Sequence, residues 1–154
     1  LADQFEARTV EKTYWACVAG HVEPNAGTWQ DTMWKVPDEP RAEILPEGDP
    51  RGRIGVLHFR VIAETQFGSV LEIQLETGRT HQVRVQAASR GLPLLGDAQY
   101  GSQVAFGEQF EDIRERAIAL HARKLSFRHP ATREQVSITA PLPRAWGEIG
   151  IRDE

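Results

Sequence analysis

Hydrophobic and polar residues alternate along much of the chain, and this alternation predicts more strands than helices. The segments with strand periodicity are Thr13–Ala19, Thr28–Val36, Val56–Glu64, Val70–Glu76, Ala119–Phe127 and Glu134–Ala140. The clearest pair is a hairpin around Phe67-Gly68, whose second arm places Leu71, Ile73 and Leu75 on one face. Short connections of this kind join antiparallel strands, so the pattern predicts a mostly antiparallel, or mixed, β-sheet.

Helical spacing occurs in three shorter segments. Leu1–Arg8 has the spacing of a helix end, and Leu142–Gly147 is long enough for a short final helix. The third predicted helix, Thr80–Ser89, starts with a threonine cap and closes at Gly91. Pro37–Gly55 contains four prolines and many charges, which predicts a surface loop. The predicted class is therefore α+β, with helices flanking the sheet.

Length and composition narrow the possible classes. The 154 residues, of which 40% are hydrophobic and 26% charged, are enough for a single soluble domain that spans residues 1–154. No apolar run reaches the ~18 residues that a membrane span needs. Cys17 is the one cysteine, which excludes an internal disulfide and fits a cytoplasmic protein. The chain begins with leucine, and we expect it to be a piece of a longer protein.

The net charge of −4 argues against a general nucleic-acid binder, but the charges are segregated. Residues 77–96 contain three arginines and no acid, and residues 116–133 contain five cations and no acid. We expect these two acid-free stretches to share one face beside one cleft. The alternative, two ordinary solvated edges, stays open on charge alone.

Several kinds of catalytic site find no support in the sequence. The five histidines include no His-x-x-x-His pair, and one cysteine cannot build a zinc site, so no metal is expected. No Gly-x-Ser-x-Gly elbow and no Gly-x-Gly-x-x-Gly turn occurs, which argues against a serine triad and a dinucleotide cofactor.

The segment around the predicted helix start has the chemistry of an anion site. A break at Gly78 is followed by the hydrogen-bond donors Arg79, Thr80, His81 and Gln82, which suit phosphate groups or base edges. Arg84 lies one turn further on and needs a carboxylate partner if it is buried. A capped amphipathic helix with ordinary surface arginines is an equally open interpretation.

Four motifs in order resemble the RluA-type pseudouridine synthases. Residues 77–85 resemble the family's T-G-R-T-H-Q-I-R-V segment, and residues 91–101 resemble its G-x-P-I-x-G-D-x-x-Y-G segment. Residues 10–20 resemble V-x-K-x-Y-x-A-x-V-x-G, and residues 120–130 resemble L-H-A-x-x-L-x-F-x-H-P. The resemblance implies the C-terminal portion of a pseudouridine synthase catalytic domain.

The resemblance also implies roles for individual residues. Tyr14 would pack on the target base and remove a proton, and Arg84 would pair with the catalytic aspartate. Asp97 would be structural and hold the turn before Tyr100. We expect Arg84 to point toward the space beside Tyr14, where its guanidinium is either unpaired or holds a borrowed carboxylate.

The nucleophilic aspartate of the family lies in an H-R-L-D motif upstream of the tyrosine motif. Residues 1–154 contain no H-R-L-D sequence, and Asp3 lacks that context. We therefore expect this chain alone to be inactive, with an exposed sheet edge that can pair between chains. An S4-like RNA-binding domain, which some relatives carry, is also not found here.

The resemblance implies isomerisation of uridine to pseudouridine in structured RNA, with ribosomal RNA favoured over transfer RNA. No cofactor, metal, DNA or membrane is expected as a partner, and the oligomeric state is left open. The residues expected to bind RNA are Arg79, Thr80, His81, Gln82, Arg123 and Lys124. Two alternatives stay open: an inactive RNA-binding remnant, and a plain α+β domain with no role on RNA.

Overall fold

The fold is known from a computed structural model, which describes residues 10–153. Its strands are β1 (Glu11–Cys17), β2 (Ala26–Lys35), β3 (Ala42–Leu45), β4 (Arg53–Glu64), β5 (Ser69–Leu75), β6 (Leu120–Arg128) and β7 (Gln135–Thr139). The helices are α1 (Gln82–Ser89), α2 (Arg144–Glu148) and the 3₁₀ turns Ala98–Tyr100 and Ile113–Glu115. No helix in this part of the chain is long and apolar enough to cross a membrane. The predicted helix end at Leu1–Arg8 lies outside the described residues.

The seven strands form one sheet in the order β3-β2-β4-β5-β1-β6-β7, and each neighbouring pair is antiparallel. The predicted α+β class is therefore confirmed, as are the predicted hairpin and the final strand pair. β1 lies between β5 and β6 although it comes first in the chain. This central position explains why β1 is apolar on both of its faces.

One face of the sheet, called here the helix face, is covered by α1. Val83 and Ala87 of α1 are 5% and 0% exposed and pack on Ala16, Leu71 and Ile73 in a common core, as the sequence pattern predicted. The amide nitrogen of the buried Gln86 adds hydrogen bonds to carbonyl oxygens of β2 and β4. Helix α1 is thus fixed against the sheet by packing and by buried polar contacts.

The opposite face of the sheet is covered by the C-terminal part of the chain. Trp146 of α2 is 1% exposed and lies edge-on to Phe106, with ring centroids 5.8 Å apart. Both pack with Cys17, Val70 and Leu95 in a second core. Alternate residues of β1 and β5 therefore supply two different cores, because successive side chains of a strand point to opposite faces.

The prediction of a continuous loop over Pro37–Gly55 is wrong. Ala42–Leu45 forms β3, which pairs with Thr32–Lys35 of β2, and β4 already begins at Arg53. Prolines and charged residues surround these four residues, and a strand of four residues is too short to show a hydrophobic period in the sequence. Its pairing depends on β2, so the signal is tertiary.

The turn between β4 and β5 requires glycine at its last position, Gly68. Gly68 has φ 155°, and a Cβ atom there would lie 2.0 Å from the carbonyl oxygen of Val18. The Gly68 backbone also forms an isolated bridge with Gly20. The close approach of these two backbones holds the hairpin end against the segment that follows β1.

Candidate active site

The loop that leads into α1 is held by one buried glutamine side chain. Oε1 of Gln82 accepts hydrogen bonds from the Thr77 hydroxyl at 2.8 Å and from the Arg79 backbone N–H at 3.0 Å. The Thr77 hydroxyl oxygen accepts in turn from the Val56 N–H at 2.9 Å, which ties the loop to β4. Gln82 is 3% exposed. Its position supports a role in shaping the loop rather than in contacting RNA.

The start of α1 differs from the prediction. Thr80 is not the cap: it is exposed, and the N-cap position belongs to His81, whose backbone is left-handed at φ 51° and ψ 31°. No side chain caps the helix with a hydrogen bond. The loop hydrogen bonds converge on Gln82, and the helix therefore begins one residue later than a threonine cap at Thr80 would place it.

Arg84 holds a carboxylate, and that carboxylate is Asp97. Its Nε donates to Oδ2 of Asp97 at 2.9 Å and its Nη2 to Oδ1 at 2.8 Å, a bidentate geometry. Nη2 also donates to Oε1 of Gln99 at 3.1 Å. The Asp97 side chain is 1% exposed, and the hydrogen bond that Arg84 donates to Asp97 raises the pKa of Arg84. Asp97 thus pairs with Arg84 in addition to preceding the turn at Tyr100, which was its expected role.

Tyr100 supports the same arginine from another direction. Its ring lies below the Arg84 guanidinium, with Cζ 5.0 Å from the ring centroid. Its hydroxyl accepts a hydrogen bond from the Ala42 N–H at 3.0 Å and lies 2.7 Å from Nδ1 of His81. Tyr100 therefore links the start of α1 to β3, and Arg84 is fixed by two neighbours of different chemistry.

His81 is an uncharged neighbour of this arginine at neutral pH. Burial lowers the pKa of its imidazole, and the nearby cations Arg84 and Lys35 lower it further, while Asp97 opposes them. The ordinary value is 6.5, so the ring is neutral at pH 7. Neutral imidazole at Nδ1 can share a proton with the Tyr100 hydroxyl without adding charge beside Arg84.

Tyr14 lines a separate cleft of about 760 Å³ at the end of β1. Arg79 lies in the same cleft, as do Lys12, His58 and Glu76, which the sequence did not single out. Arg84 is not among the residues that line it and instead borders a second cleft of about 580 Å³ with Asp97 and Gln99. Arg84 thus holds a borrowed carboxylate, as expected, and its orientation toward the space beside Tyr14 stays a prediction.

The two acid-free stretches share one face only in part: Arg116 lines the cleft that Arg84 borders, whereas Arg123 packs on the other side of the sheet. The Cζ atom of Arg123 lies 4.4 Å above the ring of Trp15, and Nη2 of Arg123 pairs with Asp153 at 2.7 Å. Trp15 packs in the core opposite the helix face, so Arg123 is on the other side of the sheet from α1. The cause is a bulge: Thr13 pairs with Lys124 and Tyr14 with Ala122, which leaves Arg123 as the extra residue.

Lys124 is exposed and lies near Tyr14. It lines a small groove of about 310 Å³ together with Tyr14, Arg123 and Ile138. Ile138 belongs to the edge strand β7 and is 53% exposed. Among residues 10–153, no group of three or more His, Cys, Asp or Glu side chains is placed to hold a metal ion.

The family model for RNA pseudouridylate synthase matches residues 1–89, which is more than half of the chain. The chain therefore belongs to the RNA pseudouridylate synthase family. It is 37% identical over 145 residues to ribosomal large subunit pseudouridine synthase D of Zymomonas mobilis, covering 94% of this chain and 45% of that protein. It is 36% identical over 145 residues to the uncharacterized RNA pseudouridine synthase YhcT of Bacillus subtilis, covering 93% of this chain and 44% of that protein.

Solved structures show the same fold. Human RNA pseudouridylate synthase domain containing 1 superimposes with a TM-score of 0.69 at 26% identity, covering 95% of this chain and 60% of that chain. Human RNA pseudouridylate synthase domain containing 4 gives a TM-score of 0.70 at 24% identity, covering 93% and 62%. The chain spans less than half the length of the two bacterial relatives.

Proposed function

We propose that this chain forms part of an RNA pseudouridine synthase that acts on a uridine of structured RNA, with ribosomal RNA favoured over transfer RNA. The observation that carries the proposal is the fixed guanidinium of Arg84 within the T-G-R-T-H-Q-V-R-V segment, residues 77–85. Asp97 and Gln99 occupy its Nε and Nη2, while Nη1 makes no hydrogen bond with a described residue. One end of the guanidinium therefore remains available to a second carboxylate.

The reaction needs an ionised carboxylate beside that arginine. A uridine is isomerised when its glycosidic bond to N1 breaks and a bond to C5 replaces it, with no net oxidation and no group transferred. A cation within ~4–6 Å of a carboxylate lowers the pKa of that carboxylate by ~1–3 units and keeps it anionic. Arg84 would do this through Nη1 for the nucleophile of an H-R-L-D segment, which residues 1–154 do not contain.

Tyr14 would receive the base after it leaves the RNA stack. An aromatic side chain beside a cleft can stack on an extruded base, and unstacking costs a few kcal/mol that backbone contacts offset. The Tyr14 cleft of about 760 Å³ lies within the ~300–1,000 Å³ usual for small-ligand sites. Arg79 in the same cleft would contact a neighbouring phosphate.

The cellular setting follows from the same proposal. We infer a cytoplasmic protein whose partner is RNA and not DNA, in line with its single cysteine and the ribosomal enzyme among its relatives.

The burial of Cys17 raises the pKa of its thiol to about 11, which keeps the thiol protonated and unreactive at neutral pH.

Tritium release from RNA labelled at C5 of uridine tests the proposal. Residues 1–154 alone should release none, and the same chain fused behind an H-R-L-D segment of the family should release tritium without an added cofactor. In that fusion Arg84→Gln should lower the rate at least ~100-fold, as loss of a fixed transition-state donor does. Arg84→Lys keeps the positive charge beside Asp97. It therefore shows whether a lower rate comes from the lost guanidinium or from a loss of folding.

The control in the fusion is Arg144→Gln, because Arg144 makes no hydrogen bond or ion pair with a described residue and lies on the opposite face. Release by residues 1–154 alone would contradict the assignment of the nucleophile. RNA binding by the fusion without any release would support the alternative of an inactive RNA-binding remnant.

A further inference from the structure

A groove of about 370 Å³ opens beside the Tyr14 cleft, at the corner where β2, β3 and β4 meet the loop before α1. Four cations, Lys35, Arg51, Arg53 and Arg79, are among its lining residues, and no carboxylate is. We call it the basic groove. In a chain of net charge −4, four cations around one small opening are a local excess of positive charge.

Three of these cations have no carboxylate partner among residues 10–153. Arg53 is exposed and makes no hydrogen bond or ion pair there, and Arg79 donates through Nε to the Ile54 carbonyl oxygen at 2.9 Å. Lys35 donates to the carbonyl oxygen of Val36 at 2.8 Å. A carbonyl oxygen carries no net charge, so these three positive charges remain uncompensated.

The acidic side chains near the groove are already paired. Asp49 holds Arg51 at 2.9 Å, and Arg51 lies with its Cζ 4.8 Å from the Trp34 ring centroid. Glu43 is held by Arg41 at 2.6 Å. The neighbouring acids are therefore not available to neutralise Lys35, Arg53 or Arg79.

The basic groove adjoins the Tyr14 cleft. Gly78 and Arg79 line both openings, and a Cβ atom at Gly78 would meet nothing within 4 Å. Arg53 pairs in register with Met33, which packs against Val85 of α1, so the groove lies on the helix face. The Tyr14 cleft differs in charge, because Glu11 and Glu76 are among its lining residues.

We propose that the basic groove binds backbone phosphates of the RNA strand next to the base held at Tyr14, an inference that rests on the proposed function. The mixed charges of the cleft suit a neutral base, and the uncompensated cations of the groove suit the polyanionic strand that leads away from it. Arg79 lies at the junction and contacts the first phosphate, and Arg53 and Lys35 contact the next ones.

The test is the salt dependence of binding of a labelled structured RNA to residues 1–154. The variant is Lys35→Gln combined with Arg53→Gln, and the matched control is Arg144→Gln, which removes an unpaired arginine elsewhere. The double variant should bind roughly ten-fold more weakly or worse, and its slope of log K against log salt should fall by roughly 0.7–0.9 for each lost phosphate contact. The control should match the unchanged chain.

The other outcomes contradict the groove proposal and leave the proposed function to its own test. If the unchanged chain binds RNA and the double variant binds it with the same affinity and slope, the groove proposal is wrong and the proposed function stands. If poly-glutamate binds the groove as tightly as RNA, the RNA assignment of the groove is wrong. If the unchanged chain binds no RNA at low salt, the groove proposal fails, and tritium release by the fusion then decides the proposed function independently.

Discussion

Arg84 and Arg123 have the same kinds of partner on opposite sides of the sheet. Each guanidinium lies over an aromatic ring, Tyr100 at 5.0 Å for Arg84 and Trp15 at 4.4 Å for Arg123. Each pairs with one aspartate, and the two arginine side chains are similarly exposed, at 17% and 15%. The aspartates differ: Asp97 is 1% exposed, whereas Asp153 is 40% exposed.

Because Asp97 is buried and Asp153 is exposed, Arg84 is held in place more firmly than Arg123. Water can replace either partner of the Arg123–Asp153 pair, because Asp153 remains solvated. Asp97 is 1% exposed, so removing Arg84 would leave a buried carboxylate without a partner, and removing Asp97 would leave a guanidinium that is only 17% exposed without its carboxylate. Similar contacts therefore have different consequences, and only the pair with the buried carboxylate holds its arginine in one position.

The largest expected effect follows from replacing Asp97. Asp97→Asn leaves the Arg84 guanidinium without its carboxylate, and we expect the free energy of unfolding to fall by about 3–5 kcal/mol. Urea denaturation followed by circular dichroism measures it. Adding Arg84→Gln to Asp97→Asn should recover part of the loss, because it removes the orphaned charge. A loss no larger than that caused by Asp153→Asn would remove the distinction between the two pairs.

A smaller effect should appear on acidification, and its origin is His81. The folded pKa of His81 lies below the ordinary 6.5, so between these two values the unfolded chain binds a proton that the folded chain does not. Stability should therefore be complete near pH 7 and decrease as the pH falls through the folded pKa. The midpoint of urea unfolding at pH 7 and pH 5 reports this decrease.

Two histidine-to-asparagine variants test whether His81 is the origin of this decrease. His81→Asn suits the left-handed backbone and should reduce the loss of stability between pH 7 and pH 5. His58→Asn, on the exposed side of β4, is the control for replacing a histidine by asparagine. An equal loss in His81→Asn and the unchanged chain would show that the neutral imidazole beside Arg84 does not contribute.

The smallest effect is expected at the surface pair. The backbone N–H of Leu142 and, after it, Arg123 lower the pKa of Asp153, so its contribution exists above the ordinary value of 3.8 and disappears as the pH falls through the folded pKa. Asp153→Asn should lower the melting temperature only slightly at pH 7, and variant and unchanged chain should converge as the pH falls below the folded pKa of Asp153. A large loss at pH 7 would mean that Arg123 is held as firmly as Arg84.

Much of the fold could be predicted from local periodicity. The alternation of Leu71, Ile73 and Leu75, the break at Phe67-Gly68 and the packed side of α1 are all visible within a few residues. Such patterns are reliable because burial of one face selects one residue in two in a strand and one in three or four in a helix. The motifs at residues 77–85 and 91–101 likewise pointed to Arg84, Asp97 and Tyr100 through their order along the chain.

Only the tertiary structure decided which partners these residues have. Arg84 and Asp97 are 13 residues apart and meet because α1 packs beside the turn that follows it. β3 forms because β2 offers an edge, and a bulge opposite β1 turns Arg123 to the other face of the sheet. The basic groove joins four separate parts of the chain: residues 33–35, Ala42, Arg51 with Arg53, and residues 78–80. The sequence by itself determined every strand except β3, the main helix and the family, because these depend on local patterns, whereas ion pairs and grooves depend on how distant segments pack.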